Sequence, residues 1–502
     1  MAAKKRITQK VIKAITITVI SFLLLITYLN YMLSIPCKTD NPTENTGSKT
    51  QLATLQSDIK SEMDYSPNIE GKSQLNLEQF GIKADGTDEA FLLQEALDHA
   101  RDNFVENVVF PSDKTIVVGS VITVHQGLNL VGNGCIIKLA DNHPDRGGFI
   151  RLKEYTQTRQ LKIDGNKENG NTGTKGVRLY SNSLFEENEV YNVSSHSIYT
   201  YKGDNISVLK NIIHDSDNYG VFTNGEPEDY AGNITIAENT IYNCKDAGIR
   251  IRCCANSLVT QNTITLPDGV TADGICLYGA SGPNSGIDIT NNTVKKEGSS
   301  DYSTGINSMD QYGQQINISG NRIDGVYRGI TIHFPGANVT GNEINNCDWT
   351  GIWLISDDAV VENNILTEAG MIINTNRPDY NPSRNIIKGN IINVGNQYWR
   401  AMNTGIFIWY TTTGNVIEGN EIRVADYAVR ITDEFGQSTG TIVQNNFLYS
   451  KTGYIDDRGN STDIANNLET PLTTPLLQET FTQKNKIIPI NPYDLIKEIL
   501  NK

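Results

Sequence analysis

Two short apolar patterns alternate along most of the chain. The first is Asn-x-[Ile/Val/Leu], at Asn188, Asn211, Asn239, Asn262, Asn292, Asn321, Asn342, Asn364, Asn390, Asn420 and Asn446. The second is Gly-[Ile/Val]-x-[Ile/Leu], as in Ala247-Gly248-Ile249-Arg250-Ile251, Asp273-Gly274-Ile275-Cys276-Leu277, Arg328-Gly329-Ile330-Thr331-Ile332 and Thr404-Gly405-Ile406-Phe407-Ile408. Apolar residues at every second position mark short strands. The asparagines recur on average about every 26 residues, a fixed-period signal that identifies a repeat architecture. This period is too short for a propeller blade, and neither a leucine-rich pattern nor long helical faces accompany it. The remaining solution is all-β: a right-handed parallel β-helix, a single-stranded solenoid of about 11–13 coils. Stacked about 4.8 Å apart, eleven coils extend roughly 50 Å. In such a coil Gly is expected to make the tight corner, Ile and Val to stack between coils, and each Asn to bond the neighbouring rung.

Alternation converts the repeats into a surface map. With Gly as reference, the first and third following residues point inward, and the second and fourth point outward. The outward column runs Tyr199 and Tyr201, Phe222 and Asn224, Arg250 and Arg252, Cys276 and Tyr278, Asn307 and Met309, Thr331 and His333, Trp353 and Ile355, Phe407 and Trp409, Arg430 and Thr432. A row of aromatic platforms suits sugar rings, and makes Phe222, Asn224, Tyr278, Trp353, Phe407 and Trp409 the expected substrate-binding residues. Loops folded over this face would instead make the aromatics a second core.

The segments outside the repeat read differently. Lys4, Lys5, Arg6, Lys10 and Lys13 form a basic start, 1–13, before an apolar run, 14–35, long enough to span a bilayer. These predict a cytoplasmic segment and a transmembrane signal anchor, with a cleaved signal peptide as the competing outcome. The domain beyond is then extracellular on a single-pass cell-membrane protein, or secreted. Residues 36–73 are polar and read as a flexible linker; 74–468 hold the β-helix, and 469–502 a tail. Asp88 is placed to N-cap an amphipathic helix through Phe91, Leu92, Ala96, Leu97 and Ala100, expected to cover the open N-terminal end of the solenoid.

Charge narrows the partners. A formal net charge of −15 argues against nucleic acid or an anionic membrane surface, which need clustered Lys and Arg. The cysteines show no CxxC pairs, so no zinc site is expected, and most are expected to be small core residues. A self-enclosed solenoid is expected to be a monomer.

Against this acidic background, Arg250 and Arg252 put two guanidinium groups on one strand. Guanidinium forks match carboxylates, so the expected partner is an acidic, uronate-containing polysaccharide. Chemistry on a uronate removes the C5 proton and needs a cation on the carboxylate, a base, and an acid at the leaving oxygen. Arg250 and Arg252 are candidates for the first; Tyr199, Tyr201, His196, Lys210 and the more distant His333 for the others, with a nearby guanidinium expected to lower a tyrosine or lysine pKa. Asp217, Asp246 and Asp273 form an alternative acid set at strand entries, able to flank a glycosidic bond or hold calcium; no cofactor is otherwise required. His214 is expected on another face.

The segment Gln79-Phe80-Gly81-Ile82-Lys83-Ala84-Asp85-Gly86-Thr87-Asp88 resembles the head motif of the pectate-lyase-like superfamily of β-helix (PbH1-repeat) proteins. From Phe80 to about Gly220, scaffold motifs such as Leu161-Lys162-Ile163-Asp164-Gly165-Asn166 resemble those of mannuronan C5-epimerases and alginate lyases. Where those epimerases carry Tyr-Gly-Phe-Asp-Pro-His with catalytic Tyr, Asp and His, this chain has His196-Ser197-Ile198-Tyr199-Thr200-Tyr201, so their residue set does not transfer. The resemblance implies polysaccharide activity. The leading expectation is a lyase acting by β-elimination; a glycoside hydrolase, a C5-epimerase, and a non-catalytic glycan-binding or cell-envelope surface protein are the alternatives.

Overall fold

The computed structural model describes residues 73–472, except 145–146, 280–281, 300–301, 310, 375–380, 396–402 and 434–435. The expected cytoplasmic segment, anchor and almost all of the linker and tail lie outside the described residues. Among the described residues, no helix is long and apolar enough to cross a membrane.

The strands wind repeatedly through three parallel sheets of 16, 16 and 14 strands, each strand pairing with its counterparts one turn before and one turn after. The solenoid extends further than the asparagine motif alone indicates, because turns formed by Asn107–Val109, Asn129–Val131 and Gln157–Arg159 precede Asn188. At about 4.8 Å per strand its long sheets reach roughly 70 Å. A helix, Ala90–Asp102, lies near the first strands and buries Leu93, Ala96, Leu97 and Ala100 in the core they share. Asp88 does not cap it by the expected geometry: Glu89 holds the N-cap position, while Asp88 accepts from the Ala90 N–H at 3.0 Å.

The asparagine corners behave as expected. Asn239 Oδ1 accepts the Asn211 backbone N–H at 2.9 Å and the Asn211 amide at 3.0 Å, while its own Nδ2 donates to Val208 O and to Asn262 Oδ1, both at 2.9 Å. The pattern runs unbroken from Asn188 to Asn467. Every interior rung thus gives a buried amide its partners, which a lone buried amide would lack at a cost of roughly 1–3 kcal/mol. The residue before each ladder Asn is left-handed, including Lys210 (φ 54) and Gln261 (φ 56).

The motif glycines require a correction. Gly220, Gly248, Gly274, Gly305, Gly329 and Gly351 are not the positive-φ corners. They point into the core beside the following Ile or Val, leaving no room for a side chain: a Cβ on Gly274 would sit 2.4 Å from Gly305 O and 2.5 Å from Val294 Cγ1. Gly274→Ala is therefore expected to destabilise the fold by roughly 1–3 kcal/mol through overpacking, read as a lower denaturant midpoint. An unchanged midpoint would remove this account of the motif.

Two consecutive inward positions also break the strand alternation. The residue before Gly therefore faces outward, together with the second and fourth residues after it.

Candidate functional site

The third sheet carries the chemistry-bearing side chains. Its central outward column runs in register from Arg151 and Arg178 through Tyr199, Phe222, Arg250, Cys276, Asn307, Thr331 and Trp353 to Ile372, Phe407 and Arg430. A flanking column holds Tyr201, Asn224, Arg252 and Tyr278. The column before the glycines holds Tyr219, Ala247, Asp273, Thr304, Arg328 and Thr350. Ser197 takes the glycine place in its own coil, since the Ser197 N–H donates to Tyr219 O, so His196 sits next to Tyr219 in this column.

The densest group surrounds Tyr219. His196 stacks on its ring at 4.8 Å and 16°, and Phe222 closes against His196 at 5.0 Å. Arg250 lies over Tyr219 at 4.8 Å and Tyr278 at 4.3 Å, and its Nη1 donates to the Tyr219 hydroxyl. Asp246 is 3.9 Å from Arg250. Lys175 stands over Tyr199 at 5.2 Å.

Burial and position separate the titrations of these groups. Burial, aided by the positive charges of Lys175 and Arg250, pushes His196 down to about 4, so its imidazole is neutral near pH 7. Its Nδ1 has no hydrogen-bond partner among the described residues. Burial and the Asp246 charge raise the Tyr219 phenol above its ordinary value despite Arg250, so it keeps its proton. Asp273 is pushed up to about 6, chiefly by burial and also by the Asp246 charge, although Asn307 donates to it at 2.8 Å.

Several expected residues are placed otherwise. Tyr201 donates to Glu226, and that bond raises its pKa, outweighing the lowering by the nearby Lys202 and Arg178 charges. Lys210 lies at an asparagine corner away from this face and pairs with Glu186 at 3.2 Å. Asp217 is held by Lys245 at 2.7 Å and Lys167 at 3.3 Å; burial pushes its carboxyl up, but the two lysines outweigh this and hold it below the usual range. His333 is near Trp353, 6.2 Å between ring centres, remote from His196. Phe407, only 5% exposed, packs with Ile372 and the tryptophans Trp349, Trp353 and Trp409 in a small outer core. Thr331, Ile355 and Thr432 are also buried, so this end of the ladder is more covered than alternation implies, and Cys276 is buried in a second small cluster with Tyr219 and Ala247. His214 lies on the second sheet, stacked between Tyr191 and Tyr242.

His196, Tyr199, Phe222, Arg250, Arg252 and Tyr278 are brought onto one stretch of the face, with Asp246 and Asp273 at its edge. Sequence reasoning missed Tyr219, Arg178 and Arg328 as site residues. The signal was available: Tyr219 and Arg328 immediately precede motif glycines, and Arg178 follows Gly176 by two. Among the described residues, no group of three or more His, Cys, Asp or Glu side chains is placed to hold a metal ion.

The family model described as "Right handed beta helix region" matches residues 149–323 and 228–387. No curated protein matches the chain in sequence. Among solved structures, it is similar to the A-module of the mannuronan C-5 epimerase AlgE4 from Azotobacter vinelandii, at 17% identity over 80% of this chain and 97% of that one (TM-score 0.38). It is similar to PfbA, a surface adhesin of Streptococcus pneumoniae, at 17% identity over 76% and 91% (TM-score 0.40). It is also similar to the catalytic unit of a GH87 α-1,3-glucanase from Streptomyces thermodiastaticus, at 14% identity over 82% and 70% (TM-score 0.45).

Proposed function

The chain is a right-handed parallel β-helix protein of the PbH1-repeat superfamily, and on that scaffold we propose that the third sheet binds an acidic polysaccharide and cleaves it by β-elimination. The observation that carries this reading is the His196–Tyr219–Arg250 group: a neutral imidazole stacked on a protonated phenol whose hydroxyl is hydrogen-bonded by a guanidinium.

The roles follow from the charges. Arg250, flanked by Arg252, pairs with the uronate carboxylate and stabilises the charge that develops when C5 loses its proton. His196 takes that proton. The electron pair forms the C4–C5 double bond as the C4–O bond breaks, and Tyr219 protonates the departing oxygen. Groups whose environments push their titrations apart divide base from acid in this way. His196 and Tyr219 stand on the same side of the substrate, which favours syn elimination over epimerisation, since inversion at C5 needs acid and base on opposite sides.

Arg178, Arg250 and Arg252 bring positive charge to the face without calcium, and a chelator is expected to leave the rate unchanged. The apolar run 14–35 is taken to export this domain and hold it at the cell membrane.

Hydrolysis is the second reading, favoured by Asp273, whose elevated pKa suits a general acid beside Asp246. Incubation with alginate, pectate and glycosaminoglycans separates the two. Elimination gives the ultraviolet absorbance of an unsaturated uronate and survives Asp273→Asn. Hydrolysis gives saturated reducing ends and is lost in that variant. No product from any polymer leaves a binding protein and ends the enzymatic reading.

A further inference from the structure

We infer that Arg328 and the aromatic rings around it form a second acidic-sugar subsite, three rungs, or about 14 Å, along the third sheet from the Arg250 coil. The Arg328 guanidinium lies 4.9 Å from the Trp349 ring centre, 5.0 Å from Trp353 and 5.2 Å from Tyr327. The rings brace one another: Tyr327 is stacked with Trp349 at 5.8 Å, Trp349 meets Trp353 edge-on at 4.7 Å, and Tyr302 leans on Tyr327 at 4.6 Å.

An arginine this enclosed is ordinarily paired with a carboxylate, because burial alone disfavours its charge. Burial does lower the Arg328 pKa. In a chain whose Asp and Glu outnumber Lys and Arg by 57 to 42, Arg328 nevertheless has no ion pair among the described residues, and its Nε has no hydrogen-bond partner. A planar fork without a hydrogen-bond or ion-pair partner, beside flat aromatic rings, complements one ligand class: a sugar ring bearing a carboxylate. The carboxylate takes the guanidinium, and the pyranose face lies against Trp349 or Trp353.

This inference rests on the acidic-polysaccharide reading and extends it. The polymer runs along the sheet axis and is held by its acid groups at two separated points, so chains too short to reach from Arg250 to Arg328 lose the second contact.

The test measures binding of long polyuronate, a uronate disaccharide and a neutral glucan to the wild type, Arg328→Gln and Arg328→Lys, all on the His196→Gln background to exclude turnover. Thermal melting checks that each variant is folded, and Arg328→Lys, which keeps the charge, serves if Arg328→Gln does not fold. Arg328→Gln is expected to weaken long polyuronate by roughly ten- to a hundredfold and to leave the disaccharide unchanged. Arg328→Lys should recover part of the loss. Equal polyuronate affinity in folded variants and wild type overturns the subsite. An equal loss for neutral glucan overturns its acidic specificity. If the expected binding pattern appears while the active protein cleaves no polymer, the subsite stands and the elimination chemistry falls.

Discussion

His196→Gln is expected to lower kcat on a cleaved polyuronate by about 10²–10⁴, the usual contribution of a general base, with a small effect on KM. The glutamine amide keeps a planar polar group at the end of the Tyr219 stack but cannot accept a proton. The pH profile provides the sharper readout. Because His196 titrates near 4, the base is unprotonated at and above neutrality, and kcat/KM should fall only as pH drops through about 4. Lys175 is one of the two charges that depress it, so Lys175→Met should move that acid limb to higher pH. A profile with its acid limb unmoved in Lys175→Met and still present in His196→Gln would assign the base elsewhere.

Arg250→Ala is expected to cost about 10²–10³ in kcat/KM, the scale found when a charge-stabilising donor is removed from a reacting centre. Its guanidinium is sandwiched between Tyr219 and Tyr278 and bonds the Tyr219 hydroxyl. Removing it takes away both the carboxylate clamp and a constraint on the acid. Arg250→Lys should recover little, since an ammonium offers neither the flat surface nor the fork. Methyl-esterified substrate separates these contributions: with no carboxylate to pair, the wild type should lose most of its advantage over Arg250→Ala. An unchanged ratio on esterified and free polymer would mean that Arg250 serves the fold and not the substrate.

The architecture was legible because it repeats. The Asn-x-[Ile/Val/Leu] and Gly-[Ile/Val] patterns record contacts made again at every turn, and Asn239 and Asn262 sit in the ladder as the spacing implies. Early turns such as Asn129–Val131 fall inside the expected 74–468 bounds but lack the full motif, so their individual rungs were not legible. The site was legible only in part. Strict alternation found Arg250, Tyr278 and Trp353, but it failed at the glycines, where two inward residues in succession bring Tyr219 and Arg328 to the outer face. It also could not foresee that Glu226, on a loop after its strand, would bind Tyr201, or that Ile372 and the tryptophans would enclose Phe407. Those contacts join residues whose proximity depends on irregular loops and on packing between coils.

The ladder also governs how such a chain can change in length. Asn321 reaches its neighbour across 21 residues with a 2.9 Å bond, and Asn262 reaches its neighbour across 30 residues with a 3.0 Å bond. The corner geometry is thus indifferent to how much sequence lies between rungs, provided that each circuit returns an asparagine to the same place. Growth or shrinkage comes in two currencies: whole circuits, which lengthen the sugar-facing sheet by one rung, and loop residues, which leave its length unchanged. A single-residue insertion between a ladder asparagine and its following apolar residue belongs to neither: it turns the inward side chains of that one strand outward, while the loop that follows can return the next asparagine to its place.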